Sequence, residues 1–255
     1  MKRMKWWLAF WMAAGLSFPA SAEMTNLTSN WFDDLVEAPL VTCQALVIAN
    51  GNYKRDHQSI NNAAGGHLMV GALMLKGFEV TLLQDQEAKK IEEAIAQLGK
   101  SDADVLWLAY VGDGQMLGEE HDAAALLGVD MQPTKPLEDL LITLAGNKAA
   151  ARIVTLAAKA NNGMTHVPEG MVVQWAGQPV SMNTNTRAYA LSLVQALLNP
   201  ELSLTDILPF IEYGALSTPG DNAVKQHTMT VFRVKDFIWN SLADGCGNPR
   251  KPMSR

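Results

Sequence analysis

Residues 104–116 read DVLWLAYVGDGQM. From Val105 to Tyr110 the run is apolar without alternation, the pattern of a strand covered on both faces. It stops at Gly112-Asp113-Gly114, where two residues lacking a Cβ flank a single carboxylate. Glycine lets the backbone turn sharply, so this reading presents one charged side chain at the tip of a buried strand. Its meaning depends on what flanks that strand.

Upstream, TCQALVIAN (42–50) is a second uninterrupted apolar strand, followed by a turn-rich loop through residue 66. A helical pattern from His67 to Leu75 stops at Gly77. FEVTLL (78–83) is a strand, and QEAKKIEEAIAQLGK (86–100) an amphipathic helix with Ile91, Ile95 and Leu98 on one face. Downstream, AALLGVDM (124–131) offers a short strand and PLEDLLITLAGNK (136–148) a helix. RIVTLAA (152–158) and GMVVQWAG (170–177) are further strands. Helices are expected at TRAYALSLVQALLN (186–199) and LSLTDILPFIEYGALS (202–217), with Pro209 kinking the latter. MTVFRVKDFIWN (229–240) closes the sheet, and 241–255 reads as a loose tail. Apolar strands alternating with helices predict an α/β fold with a mostly parallel sheet covered on both faces. In such sheets functional groups gather in loops at the carboxyl ends of the strands: here, after Ala49, Tyr110 and Ala157.

The first 22 residues have a different purpose. MKRMK is a cationic start, WWLAFWMAAGLSF an apolar stretch, and PASA a small-residue cleavage signal ending at Ala22. The expectation is a cleaved signal peptide, a leader at 23–41, and export to the periplasm or beyond, with no stable membrane anchor after cleavage. Removing Lys2, Arg3 and Lys5 takes the formal charge from -6 to -9, which argues against nucleic acid or an anionic lipid surface as the main partner. Two cysteines, Cys43 and Cys246, lie near opposite ends of the mature chain. In an oxidising compartment a disulfide between them, or two inert thiols, fits better than a nucleophile, since neither has a histidine nearby in sequence.

The strands carry more than a fold pattern. ALVIANGNY, then LKGFEVTLL, LAYVGDGQ and RIVTLAAKANNG, in that order, resemble the caspase-like cysteine peptidases, in particular the bacterial metacaspase-like branch. GMVVQWAGQPV, AYALSLVQALLNPELSLTDIL and KQHTMTVFRVKDFIW extend the resemblance over Thr42 to Asn240. It implies a three-layer α-β-α sandwich with a sheet of about six strands, at residues 42–240. The family's chemistry uses a histidine between two glycines after the third strand as base, and a cysteine after the fourth as nucleophile. The thiolate is activated by the imidazole. Matched residue by residue, the histidine position is Asp113 and the cysteine position Lys159. The acid that holds basic substrate side chains is Ala157, and the arginine that often follows the cysteine is Ala160. An acidic position after the first strand falls at Gly65.

No catalytic residue is therefore expected. Asp113 and Lys159 would face each other across the cleft as an ion pair, a contact contributing about 0–1 kcal/mol when partly exposed. Asn161 and Asn162 complete the cleft residues expected to touch a partner. The reading is an inactive pseudopeptidase that binds an unknown protein or peptide; the alternative is a working hydrolase with unrecognised catalytic residues. No cofactor motif is present, and no metal is expected: His57, His67, His121, His166 and His227 have no metal-ligand spacing. GEEHD (118–122) reads as an exposed acidic loop, and Thr155 and Thr165 lack an activating neighbour in sequence.

Overall fold

The structure is a computed structural model, which describes residues 40–54, 62–118, 123–158, 167–175, 184–203, 206–207, 229–232 and 246–247. At its centre is strand β3 (Val105–Val111), every residue of which is buried. Strands β1 (Cys43–Ala49) and β7 (Ala151–Ala157) pair with it on either side, both parallel. β2 (Glu79–Gln84) lies outside β1, and β8 (Met171–Trp175) outside β7. β9 (Met229–Phe232) joins β8 antiparallel, so the six-stranded sheet runs β2-β1-β3-β7-β8-β9.

Helices cover both faces. α1 (Asn62–Leu75) and α4 (Thr184–Leu198) pack together on one face, where Val47, Met69, Leu73, Trp107, Tyr189 and Leu193 form one core. α2 (Ala88–Leu98) and α3 (Leu137–Ala145) cover the other, around Ile48, Ile91, Ile95, Leu108 and Leu141. Each fully buried aliphatic side chain contributes about 1.5–3 kcal/mol relative to exposure. The three-layer α/β architecture expected from the apolar runs is what forms. Beside it, β4 (Gly114–Leu117), β5 (Ala123–Leu127) and β6 (Pro133–Pro136) make a small antiparallel sheet.

Two local differences from the sequence reading have clear causes. α1 begins at Asn62, not His67. Its glycines read as turn formers, yet a Cβ on Gly66 would sit 2.6 Å from the Ala49 Cβ, so glycine there lets the helix approach β1 closely. β4 and β6 were not anticipated because each has four residues and no hydrophobic period of its own; partner strand β5 defines them.

Two long basic side chains hold helix ends in place. Arg152, on β7, donates from Nε to the Leu144 carbonyl at 3.0 Å and from Nη2 to that of Asn147, beyond α3. Lys76, just past α1, donates to the carbonyls of Asn199 and Leu202 at 2.8 and 2.7 Å, capping the far end of α4. Desolvation lowers the pKa of both, while the negative end of a helix favours a cation.

Where the strands begin, the chain is closed covalently. Cys43 and Cys246 are disulfide-bonded, with Cα atoms 5.7 Å apart and a sequence separation of 203. The tail read as loose is thus held at Cys246–Gly247, where the Gly247 N–H also donates to the Val41 carbonyl at 2.8 Å. Gly77 (φ 84°) makes room for it: a Cβ there would lie 2.9 Å from the Cys246 carbonyl oxygen. Beside this joint, Asp104 Oδ2 accepts from both the N–H and hydroxyl of Thr42, each at 2.9 Å. The expected signal peptide and leader up to residue 39, the helix expected at 202–217 except residues 202–203 and 206–207, and 233–240 of the closing segment lie outside the described residues.

Candidate functional site at the carboxyl ends of the strands

The parallel register aligns Ala49 with Val111 and Val111 with Ala157, so the loops after β1, β3 and β7 leave the sheet side by side. Backbone bonds stitch the exits together. The Asn50 N–H donates to the Val111 carbonyl at 2.9 Å, and the Gly112 N–H to that of Ala157 at 3.1 Å. Asp113 lies between β3 and β4, half-buried, with Oδ1 shielded from solvent.

Two phenols fix the backbone of that residue. The Asp113 N–H donates to the Tyr53 hydroxyl oxygen at 2.6 Å. The Tyr110 hydroxyl faces the carbonyls of Asp113 and Leu127, at 2.7 and 2.9 Å. The Asp113 carbonyl also accepts from the Leu127 N–H at 3.0 Å. The two hydroxyls are 3.4 Å apart. Tyr110 has one proton to offer the carbonyls, so its oxygen can accept from Tyr53. Desolvation pushes the Tyr53 pKa up to about 12 and that of Tyr110 well above its ordinary value. Both therefore stay neutral across the physiological range. Gly112 is required beneath them: a Cβ would meet the Tyr110 hydroxyl at 2.6 Å and that of Tyr53 at 2.8 Å.

A second knot lies alongside. The Asn50 side chain is fully buried and serves three loops at once. Nδ2 donates to the carbonyls of Gln86 (3.0 Å) and Leu127 (3.1 Å), while Oδ1 accepts from the Gln86 N–H at 2.9 Å. Asp85, in the left-handed region at φ 50°, accepts from the N–H groups of Gly51 (2.9 Å) and Asn52 (3.0 Å) and from the Asn52 amide (2.6 Å). Desolvation would raise its pKa, but these bonds together outweigh that and hold it below the usual carboxylate range.

Asp113 and Ala157 are thus brought to adjacent strand ends, Ala157 buried as the last residue of β7. Lys159, Ala160, Asn161 and Asn162 lie outside the described residues, as do His57, His121, His166, His227, Thr165 and residues 119–122. Gly65 lies within α1. His67, also on α1, contacts the Gln84 amide at 3.1 Å. Thr155 accepts the Trp107 indole N–H at 3.0 Å inside the core, a packing role. Among the described residues no group of three or more His, Cys, Asp or Glu side chains converges on a metal site. The sequence does not single out Tyr53, Tyr110, Asn50 or Asp85. The available hint was a tyrosine in the last turn of apolar strand before a Gly-Asp-Gly tip.

The order of this sheet, its helical layers and a strand-end site define a caspase-like α/β class. The family model of the caspase domain, Peptidase C14, matches residues 42–239, and the chain belongs to that family. The crystal structure of the Drosophila initiator caspase Dronc is similar in fold, with a TM-score of 0.61 at 9% identity over 86% of this chain and 92% of that one. A search of curated proteins finds no significant match.

Proposed function

We propose that this protein is an exported caspase-like domain without peptidase chemistry, which binds a protein or peptide at the carboxyl ends of its strands. One observation carries this reading: Asp113 occupies the tip next to Ala157, where the family places its base beside its nucleophile turn. A carboxylate is a far weaker base than imidazole near neutral pH. The nucleophile position is Lys159. Acyl transfer to an amine would give an amide no weaker than the bond broken, so turnover would stop there. Ala157 offers no carboxylate to hold a basic substrate side chain. The tip is nevertheless built with care, since two buried phenols and an obligate glycine hold its backbone. A rigid scaffold around a chemically silent tip suits binding.

The test is direct. Purified mature protein is expected to leave Arg- and Lys-terminated fluorogenic peptides intact and to take no label from thiol-directed peptide probes. Turnover would establish the alternative, a working hydrolase. Pull-down from a periplasmic extract should capture a partner with the wild type and lose it with Asp113→Ala or Lys159→Ala. The triple variant Asp113→His, Lys159→Cys, Ala157→Asp is expected to gain slow probe labelling.

A further inference from the structure

Where the sheet ends at β2, the flanking helix α1 is uncharged, and the strand's own charge is confined to Glu79 at its start. α2 shows the ordinary solvent face, with Lys89, Lys90, Glu92 and Glu93 exposed or half-exposed. α1 has no Asp, Glu, Lys or Arg in 14 residues. Yet it leaves Leu68, Met74 and Leu75 at 51%, 60% and 76% exposure. Among the described residues, β2 pairs on one side only, with β1. Natural edge strands are protected by charges, prolines or bulges. From Val80 to Gln84 this edge has none of these.

The open backbone groups can be assigned. The Asp85 N–H donates to the Ala49 carbonyl on β1 at 3.1 Å. Because backbone groups alternate sides along a strand, Val80, Leu82 and Gln84 turn theirs outward. An added antiparallel copy of β2 can then pair in two symmetric ways. Centred on Leu82, the pairing sets Glu79 against Asp85 of the second copy, and like charges directly opposite are destabilising. Centred on Thr81, it sets Glu79 against Leu83 and Val80 against Leu82, with Thr81 facing its own equivalent. No acid then opposes an acid, and Thr–Thr is a favourable cross-strand pair. The strand is self-complementary in one register.

The helix layer agrees with this. The contact between His67 and Gln84 places one flank of α1 over the β2 edge. Gly71 and Met74, four and seven residues on, share that flank. Both are exposed, and a Cβ on Gly71 would meet nothing within 4 Å. A two-fold axis normal to the sheet would bring α1 alongside its equivalent, with Gly71 leaving room for a side chain of the second helix. On the opposite face, a groove of about 460 Å³ with Thr81, Leu83 and Leu98 in its lining, together with the charged Glu79, Lys100 and Asp102, would become continuous across the axis.

We infer that the β2–α1 edge is the interface for a second copy of this chain, joined by antiparallel β2–β2 pairing centred on Thr81 to make one twelve-stranded sheet. The expected result is a light-scattering mass for the mature protein that rises with concentration towards twice the monomer. Thr81→Lys sets two ammonium groups face to face and should weaken association at least about tenfold, while an equimolar mixture with Thr81→Glu restores it. Met74→Glu should weaken it as well. Thr81→Cys, oxidised with glutathione disulfide, should give a covalent dimer, because directly opposed residues of a non-hydrogen-bonded pair have Cα atoms about 4.5 Å apart. Thr81 and Met74 are both exposed, so these changes leave the core untouched. A monomeric mass at every concentration, or a dimer indifferent to both Thr81→Lys and Met74→Glu, overturns the inference.

Discussion

The two ends of the central sheet are held by different chemistry. Where the strands begin, the Cys43–Cys246 disulfide closes the chain, with Gly77 opened to receive Cys246. Where they end, hydrogen bonds from Tyr53, Tyr110 and Asn50 unite loops that are far apart in sequence. The first end answers to reductant, and the second to alkali strong enough to deprotonate its phenols. The comparison teaches that the positioning of a residue and the chemistry of its side chain are held separately. The phenols act on the backbone of residue 113, and what the side chain carries is a separate matter.

The largest expected effect would break the covalent end. Cys246→Ser should remove about 5 kcal/mol of unfolding free energy, the chain-entropy value for a loop of 203 residues. Urea unfolding with and without reductant measures it, and a loss under 1 kcal/mol would assign that end to packing instead. Next, Gly112→Ala at the other end forces a methyl group within 2.6 Å of the Tyr110 hydroxyl, and overpacking of this kind costs about 1–3 kcal/mol. Tyr53→Phe leaves the Asp113 N–H without its acceptor, for a similar loss of about 1–3 kcal/mol. Tyr110→Phe should cost less, about 1 kcal/mol. The carbonyls it faces keep other donors, Leu127 N–H for one and Asn50 Nδ2 for the other.

The smallest effect sharpens the contrast by pH. Tyr53 titrates near 12 when folded, against an ordinary value of 10.0. The folded state therefore binds that proton more tightly, so its contribution is complete below pH 10 and is lost as pH rises towards 12. At pH 11 the loss is about 1 kcal/mol. Urea midpoints measured across this window should fall in the wild type and fall less steeply in Tyr53→Phe.

The parts of the molecule legible in the sequence are those set by local pattern. β3 is an unbroken apolar run, β1 and β7 are apolar but for Gln44, Arg152 and Thr155, and Ile91, Ile95 and Leu98 mark the buried face of α2. The position of Asp113 at a strand tip follows from the same logic, because Gly112 and Gly114 flank it. What brings Tyr53 to Asp113 is strand order, which places the β1 and β3 exits together across 60 residues. No local period encodes that. Likewise the opening of α1 combines asparagines, alanines and glycines that suit a turn equally well; its close approach to Ala49 is a tertiary fact. Asn50 closes the apolar run of β1 with nothing local to mark it, and its burial makes it the connector to Gln86 and Leu127.

The position of Cys246 has a consequence for synthesis. Its partner, Cys43, emerges 203 residues earlier and keeps a reactive thiol until nearly the whole domain has been delivered. A chain that stops short of Cys246 cannot form this bond, so the two ends of the domain become linked only once synthesis has passed that residue.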